Sequence, residues 1–131
     1  MSEGVGVRAA AGGGATARLT DVGGRRVMRV VLDLAETEGL TTVDAMTLEA
    51  GFRTACDKRL PIVATITANG VSIDDGFDAV VAWGRAAKAL ASASGVVPTL
   101  FIVDGPMVAG PSLLLGIADA VVFVDGSHAF V

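Results

Sequence analysis

The stretch Asp104-Gly105-Pro106-Met107-Val108-Ala109-Gly110-Pro111-Ser112 decides how this chain is read. It follows an apolar run at 99–103 that reads as a strand, and it opens an apolar helical segment at 113–118. Small residues between a strand and a helix let main-chain N–H groups approach a ligand with no side chains in the way. The helix start adds unsatisfied donors and the positive end of a dipole. Such a turn can hold a carbonyl oxygen as it becomes an enolate or alkoxide. Chemistry carried by main-chain atoms needs few polar side chains. This chain has few, with 18% of its residues charged and a single histidine.

Working outward, Pro98 introduces the strand at 99–103, and a further strand is expected at 120–124. Upstream, Pro61 begins a buried strand at 62–67 whose apolar run ends in Ala68-Asn69-Gly70. Asp74 and Asp75 suit the start of the next helix, where an acidic side chain meets the positive dipole end. Its inward stripe is expected to be Phe77, Val80, Val81, Gly84, Ala87 and Ala91, and Ser94-Gly95 ends it. Thr41 or Thr42 caps an earlier helix running to about Lys58, with Asp44 in its first turn. In that helix Val43, Met46, Ala50 and Thr54 recur at helical spacing, flanked by Leu48, Phe52 and Ala55. Gly23-Gly24 predicts a hairpin joining 17–22 to 27–32. Residues 1–17 are Gly/Ala-rich without a period and read as a flexible tail, leaving 18–131 as the folded part. Strands alternating with helices as continuous apolar runs predict an α/β fold with parallel pairing. The end of the chain, Ser127-His128-Ala129-Phe130-Val131, reads as one more strand, so the chain looks like part of a larger fold.

Bulk properties narrow the function. A length of 131 residues supports about one domain with a real core. At 52% hydrophobic but only 5% aromatic, that core must be built from Val, Leu, Ile and Ala. A net charge of −4 with interspersed signs argues against nucleic acid as partner, and Arg25-Arg26 and Lys58-Arg59 read as solvated turns. One cysteine, Cys56, excludes a disulfide framework, and with the lone His128 it argues against a metal site. The apolar segment at 113–124 is interrupted by Asp119 and too short to span a bilayer, and no secretory signal is visible. A cytoplasmic location and no membrane partner are expected. So much apolar character without a membrane segment predicts burial against another chain.

Other chemistries find less support. Gly4-Val5-Gly6 has no strand before it and no helix after it, so it is not a dinucleotide fingerprint. Ser112 and His128 lack a Gly-x-Ser-x-Gly elbow. Cys56 and Trp83 read as packing residues, and Asp74-Asp75 as a helix start rather than an acid/base pair.

From Thr67 to Val124 the chain resembles the N-terminal half of a biotin-dependent acyl-CoA carboxyltransferase, such as the β subunit of propionyl-CoA carboxylase. The family's loop Asp-Ser-Gly-Gly-Ala-Arg-Ile-Gln-Glu-Gly matches Thr67-Ala68-Asn69-Gly70-Val71-Ser72-Ile73-Asp74-Asp75-Gly76. A helix with Gly84 follows at the family spacing. Ala93-Ser94-Gly95-Val96-Val97-Pro98 is close to the family's Ala-Ser-Gly-Val-Ile-Pro. The family's Gly-Pro-Cys-Ala-Gly-Gly-Ala turn corresponds to Gly105-Pro106-Met107-Val108-Ala109-Gly110-Pro111, and Asp119 also falls in place, with no gap anywhere. Residues 24–60 match only loosely.

The resemblance implies a crotonase-like spiral of ββα units, of which this chain would be an incomplete N-terminal half. It implies transfer of a carboxyl group from carboxybiotin to the α-carbon of an acyl-CoA. The amides of Ala109 and Gly110 would hold the enolate oxygen, while Asn69, Gly70, Val71, Gly105 and Pro106 would contact substrate. Pro111 would pre-form the turn without removing either donor. Carboxybiotin would arrive on a partner biotin carrier protein, with no cofactor held tightly by this chain. A second carboxyltransferase half, in a homo- or hetero-oligomer, would complete the site, so this chain alone would be inactive. Departures from the family are Ala109 for the first of the paired glycines, and Thr67, Asn69 and Ser72 for the loop's acid, one glycine and the arginine. A biotin-independent malonate decarboxylase-type subunit and a non-catalytic crotonase-like assembly subunit are the alternative readings.

Overall fold

The computed structural model describes residues 6–7, 14–34, 41–68, 76–108 and 114–130. Among them the elements run β1 (Gly6–Val7), β2 (Ala15–Val22), β3 (Arg25–Leu34), α1 (Thr42–Lys58), β4 (Ile62–Ala68), α2 (Gly76–Ala93), β5 (Thr99–Val108), β6 (Ala120–Phe123) and β7 (His128–Phe130). They form one sheet in the order β1-β2-β3-β4-β5-β6, with β7 also pairing β5. The pairs β1/β2 and β2/β3 are antiparallel, whereas β4, β6 and β7 all join as parallel strands to the β3–β5 series. The expected hairpin closes with Val22 opposite Arg25 across Gly23 and Gly24, whose φ values are +57° and +80°.

Alternation on the central strands sorts the two faces of the sheet. Met28, Val30 and Leu32 of β3, Ile62, Ala64 and Ile66 of β4, and Phe101 and Val103 of β5 point to one side, where both helices pack. Two crossovers of one hand that step the same way across a sheet put their helices on the same face. The centre of this core is Phe52 of α1 against Phe101 of β5, with ring centroids 6.3 Å apart. Val31, Val63, Leu100 and Ile102, on the other face, are only partly buried.

α1 starts where its sequence says. Thr41 is the N-cap, its hydroxyl accepting from the Asp44 amide at 3.2 Å while the Asp44 carboxylate accepts from the Thr41 amide at 3.2 Å. This reciprocal pair satisfies donors that a helix start leaves open. The buried face of α1 carries Leu48, Phe52 and Ala55, the residues expected only to flank the stripe, whereas Met46 is 43% exposed.

Three further expectations are corrected. The inward face of α2 is Ala79, Ala82, Ala86, Ala89, Leu90 and Ala93; Phe77, at 79% exposure, Val80 and Val81 face outward. Small alanines let α2 pack closely along α1 over this core, so the larger residues end up on the far side. The tail boundary also moves, because Ala15 and Ala17 lie buried in β2, and Gly6–Val7 pairs with it. Finally, the helix expected at 113–118 is a single 3₁₀ turn at 114–116 among the described residues.

Candidate active site

In open parallel sheets, ligands bind beyond the carboxyl ends of the strands. β4 and β5 lie side by side there, with Ala68 opposite Met107. Asn69-Gly70-Val71 follow the last residue of β4, and Ala109-Gly110 follow the last residue of β5; all five lie outside the described residues. The described part of the site is therefore the strand ends from which these residues depart.

Gly105 and Pro106, expected in a turn, are strand residues instead. β5 does not stop at Val103 but continues to Val108 through an irregularity. Ile66 pairs with Val103 and Ala68 with Met107, so Thr67 alone stands opposite Asp104, Gly105 and Pro106. Bulges of this kind concentrate beside active sites because they re-aim the chain. The missing N–H of Pro106 falls within the bulge, where no β4 residue is paired with it.

Gly105 is what allows the bulge to form. Its φ is +126°, and a Cβ there would stand 2.8 Å from Thr67 Oγ1. Any larger residue meets both a backbone penalty and a collision. The Gly105 amide, freed from the ladder, donates to Ser127 Oγ at 2.8 Å. Ser127 lies between β6 and β7, at the point where β5 exchanges one neighbour for the other. Sequence reading passed over Ser127, and no local signal marks it, since its partner is far away in the chain.

A cavity of about 260 Å³ opens at this end of the sheet, lined by Val31, Leu32, Asp33, Thr65, Thr67 and Asp104. Asp33 was also missed, although alternation along β3 puts it on the same face as Val31. Near the other end of this face, Arg29 donates to the carbonyls of Val30 and Val63 at 2.9 and 3.1 Å, and to Thr65 Oγ1 at 2.6 Å. Burial lowers the pKa of this guanidinium. Its ties clamp β3 to β4 up to the edge of the cavity, which Thr65 also lines.

Asp119 makes a second clamp. Its carboxylate accepts the Thr99 amide at 2.9 Å, and its own amide donates to Thr99 Oγ1 at 2.8 Å. The first residue of β5 is thereby fixed to the approach of β6. Cys56 is partly buried with Sγ 3.9 Å from the Ser92 carbonyl, and Trp83 packs against the core. His128 is in β7, and Ser112 lies outside the described residues. No described helix is long and apolar enough to cross a membrane.

This arrangement can be set against known proteins. The model of the carboxyl transferase domain matches residues 7–131. The chain belongs to the carboxyl transferase domain family. Among solved structures, the carboxyl transferase domain described here is similar to the β subunit of geranyl-CoA carboxylase from P. aeruginosa, at 23% identity and a TM-score of 0.83 over 92% of this chain and 24% of that one. It is similar to transcarboxylase 12S with methylmalonyl-coenzyme A and methylmalonic acid bound, at 21% identity and a TM-score of 0.80 over 88% of this chain and 23% of that one. It also resembles a Pseudomonas malonate decarboxylase hetero-tetramer, at 12% identity and a TM-score of 0.82 over 89% of this chain and 46% of that one. The chain thus spans about a quarter of the first two proteins and under half of the third. No curated protein matches it. The α/β, crotonase-like fold expected from the sequence is the fold of this domain, present here as part of the whole.

Proposed function

We propose that this carboxyl transferase domain supplies one half of a site that moves a carboxyl group from carboxybiotin to the α-carbon of an acyl-CoA. The observation that carries the reading is the bulged end of β5 beside the end of β4, with the cavity between Asp33, Thr67 and Asp104 at the same edge. The carboxyl carbon leaves a biotin nitrogen for the α-carbon, and that nitrogen ends with the proton lost from the α-carbon. As that proton leaves, negative charge gathers on the thioester oxygen. Main-chain donors aimed at this oxygen lower the barrier, and losing one typically costs about a hundred- to a thousandfold in rate.

In this reading the amides of Ala109 and Gly110 are the donors. Asn69, Gly70 and Val71 shape the entrance for CoA. Gly105 and Pro106 form the substrate-facing wall through their backbone, since the Gly105 amide is already committed to Ser127. Carboxybiotin is a co-substrate brought by a carrier domain, and none of the described residues is assigned to it. A second carboxyltransferase half completes the pocket, which makes the active form an oligomer.

The test is a transfer assay on the assembled protein with labelled carboxybiotin and a series of acyl-CoAs. Ala109→Pro removes one donor and should cut the rate by about a hundredfold or more. Unchanged transfer by that variant overturns the donor assignment. The likeness to a malonate decarboxylase supports a second reading, release of CO₂ from a malonyl thioester without biotin. Decarboxylation in the absence of carboxybiotin, with no transfer in its presence, favours it.

A further inference from the structure

We infer that the outer face of α2 pairs with the same face of a second copy of this chain, the two helices lying antiparallel about a two-fold axis near residue 82. The exposed side of α2 is apolar: Phe77, Val80 and Val81 are 79%, 52% and 40% exposed, and Ala91 is exposed as well. Phe77, Val81, Gly84, Lys88 and Ala91 follow one another at alternating steps of four and three residues. That spacing is the repeat of a helix–helix seam. On its α1 side the stripe runs into a groove of about 400 Å³, walled by Met46, Ala50, Phe77 and Val81. Exposed apolar residues scattered singly are ordinary on a surface, whereas a continuous patch marks an interaction site.

Two further observations choose the occupant. Gly84 sits in the middle of α2, and a Cβ built there would meet nothing within 4 Å. A glycine at mid-helix weakens the helix, and no packing among the described residues needs the space. A second helix crossing closely would use it. Asp78 and Arg85 lie about two helical turns apart on one flank of the stripe, both exposed, and neither forms an ion pair among the described residues. In a two-fold pairing residue i meets residue j and j meets i. With the axis near residue 82, Asp78 of each copy stands opposite the partner's Arg85, so one register makes two ion pairs. The same register seats Val81 over the partner's Gly84, where no side chain stands in the way. It also lays the Lys88 stem along the partner's Phe77, which accounts for a lysine within an apolar stripe. Charged flanks of this kind fix the direction and choice of partner more than they add affinity. A face complementary to itself in both charge and shape fits a second copy of the chain.

The experiment follows the mass of the full chain by sedimentation equilibrium over a dilution series, with thermal unfolding read at dilutions where the copies have separated. The unaltered chain should dimerise reversibly. Asp78→Arg and Arg85→Asp should each weaken association about tenfold, and combining them should restore it, because the pairs re-form with their signs exchanged. Phe77→Ala should weaken the dimer while leaving unfolding of the separated chain unchanged. Gly84→Gln should abolish the dimer yet raise the melting temperature of the separated chain, since glutamine is the better helix former. Val81→Cys, close to the axis, should form an intersubunit disulfide on oxidation by dissolved oxygen. Ala91→Cys should not, because antiparallel copies hold those positions about 27 Å apart. A chain that stays monomeric at millimolar concentration overturns the pairing in favour of a different protein on α2, as does a dimer indifferent to all these variants. Equal cross-linking at 81 and 91 overturns the antiparallel register, and a combined charge exchange that fails to restore the dimer overturns the ion pairs.

Discussion

The Asp44 carboxylate at the start of α1 accepts the amide of Gly14, thirty residues earlier in the chain, at 2.7 Å. The same oxygen accepts the Ala15 amide at 3.1 Å, while the other oxygen takes the Thr41 amide and, at 2.8 Å, the Thr41 hydroxyl. A helix cap has thus become a tie between α1 and the first residues of β2. Asp44 is 1% exposed and the Ala15 amide is buried with it, while Gly14 and Thr41 are only partly buried. Asp44→Ala should destabilise the fold by about 2–3 kcal/mol, combining loss of the cap with the buried Ala15 amide left open. Asp44→Asn should cost less, because one side-chain oxygen can still accept. Urea unfolding of the two variants measures both losses; equal, negligible values would mean the tie contributes nothing.

α1 also approaches β2 more closely than a side chain permits. A Cβ on Gly51 would stand 2.8 Å from the Cβ of Ala17. Alanine is the better helix former by about 1 kcal/mol. Forcing α1 away from the sheet costs about 1–3 kcal/mol in a packed core. Crowding should win here, because the atom it meets is fixed to the backbone of β2. A net loss of stability in Gly51→Ala is expected; a gain in melting temperature would show that α1 can shift freely.

Local chemistry made the framework legible in advance. Thr41 and Asp44 announced the start of α1, and Gly23-Gly24 announced the hairpin. Pro61 and Pro98 stand just ahead of β4 and β5. What misled were positions where tertiary context outranks local preference. Gly105-Pro106 reads as a break, yet a bulge opposite Thr67 and a change of neighbour from β6 to β7 carry β5 through it. Ala15 and Ala17 are too small to advertise a strand, although both are core residues. α2 is apolar on more than one side, and periodicity cannot say which of two apolar faces meets the sheet. The residues proposed as oxyanion donors act through main-chain atoms, so no side chain marks them; the strand-to-helix turn suggested the chemistry, and the resemblance to carboxyltransferases singled out Ala109 and Gly110.

The corrected orientation of α2 gives a contrast between two residues. Leu90 is fully buried in the core, whereas Phe77 is 79% exposed. Leu90→Ala should cost about 2–5 kcal/mol through lost burial and the cavity left behind. Phe77→Ala should change stability by less than about 0.5 kcal/mol, as surface substitutions do. An inward stripe of Phe77, Val80 and Val81 requires the reverse order. Denaturant midpoints for the two variants decide between the orientations.

Gly105→Ala tests the bulge from its crowded side. The residue sits at a φ of +126°, and the added methyl would collide with Thr67 Oγ1 at 2.8 Å. A non-glycine residue in such a conformation costs about 1–3 kcal/mol before any collision is counted. Two responses are open to the chain. It can keep the bulge and bear the strain, which lowers stability and leaves the Ser127 hydrogen bond in place. Alternatively it can flatten the bulge, which breaks that bond and shifts the strand register beyond Val103. The second response should dominate, because Thr67 is buried and cannot yield. Gly105→Ala is therefore expected both to lose stability and to speed amide exchange across 105–108, with transfer activity falling in step. Full retention of activity and exchange protection in this variant would mean that β5 tolerates a side chain where the geometry leaves no room for one.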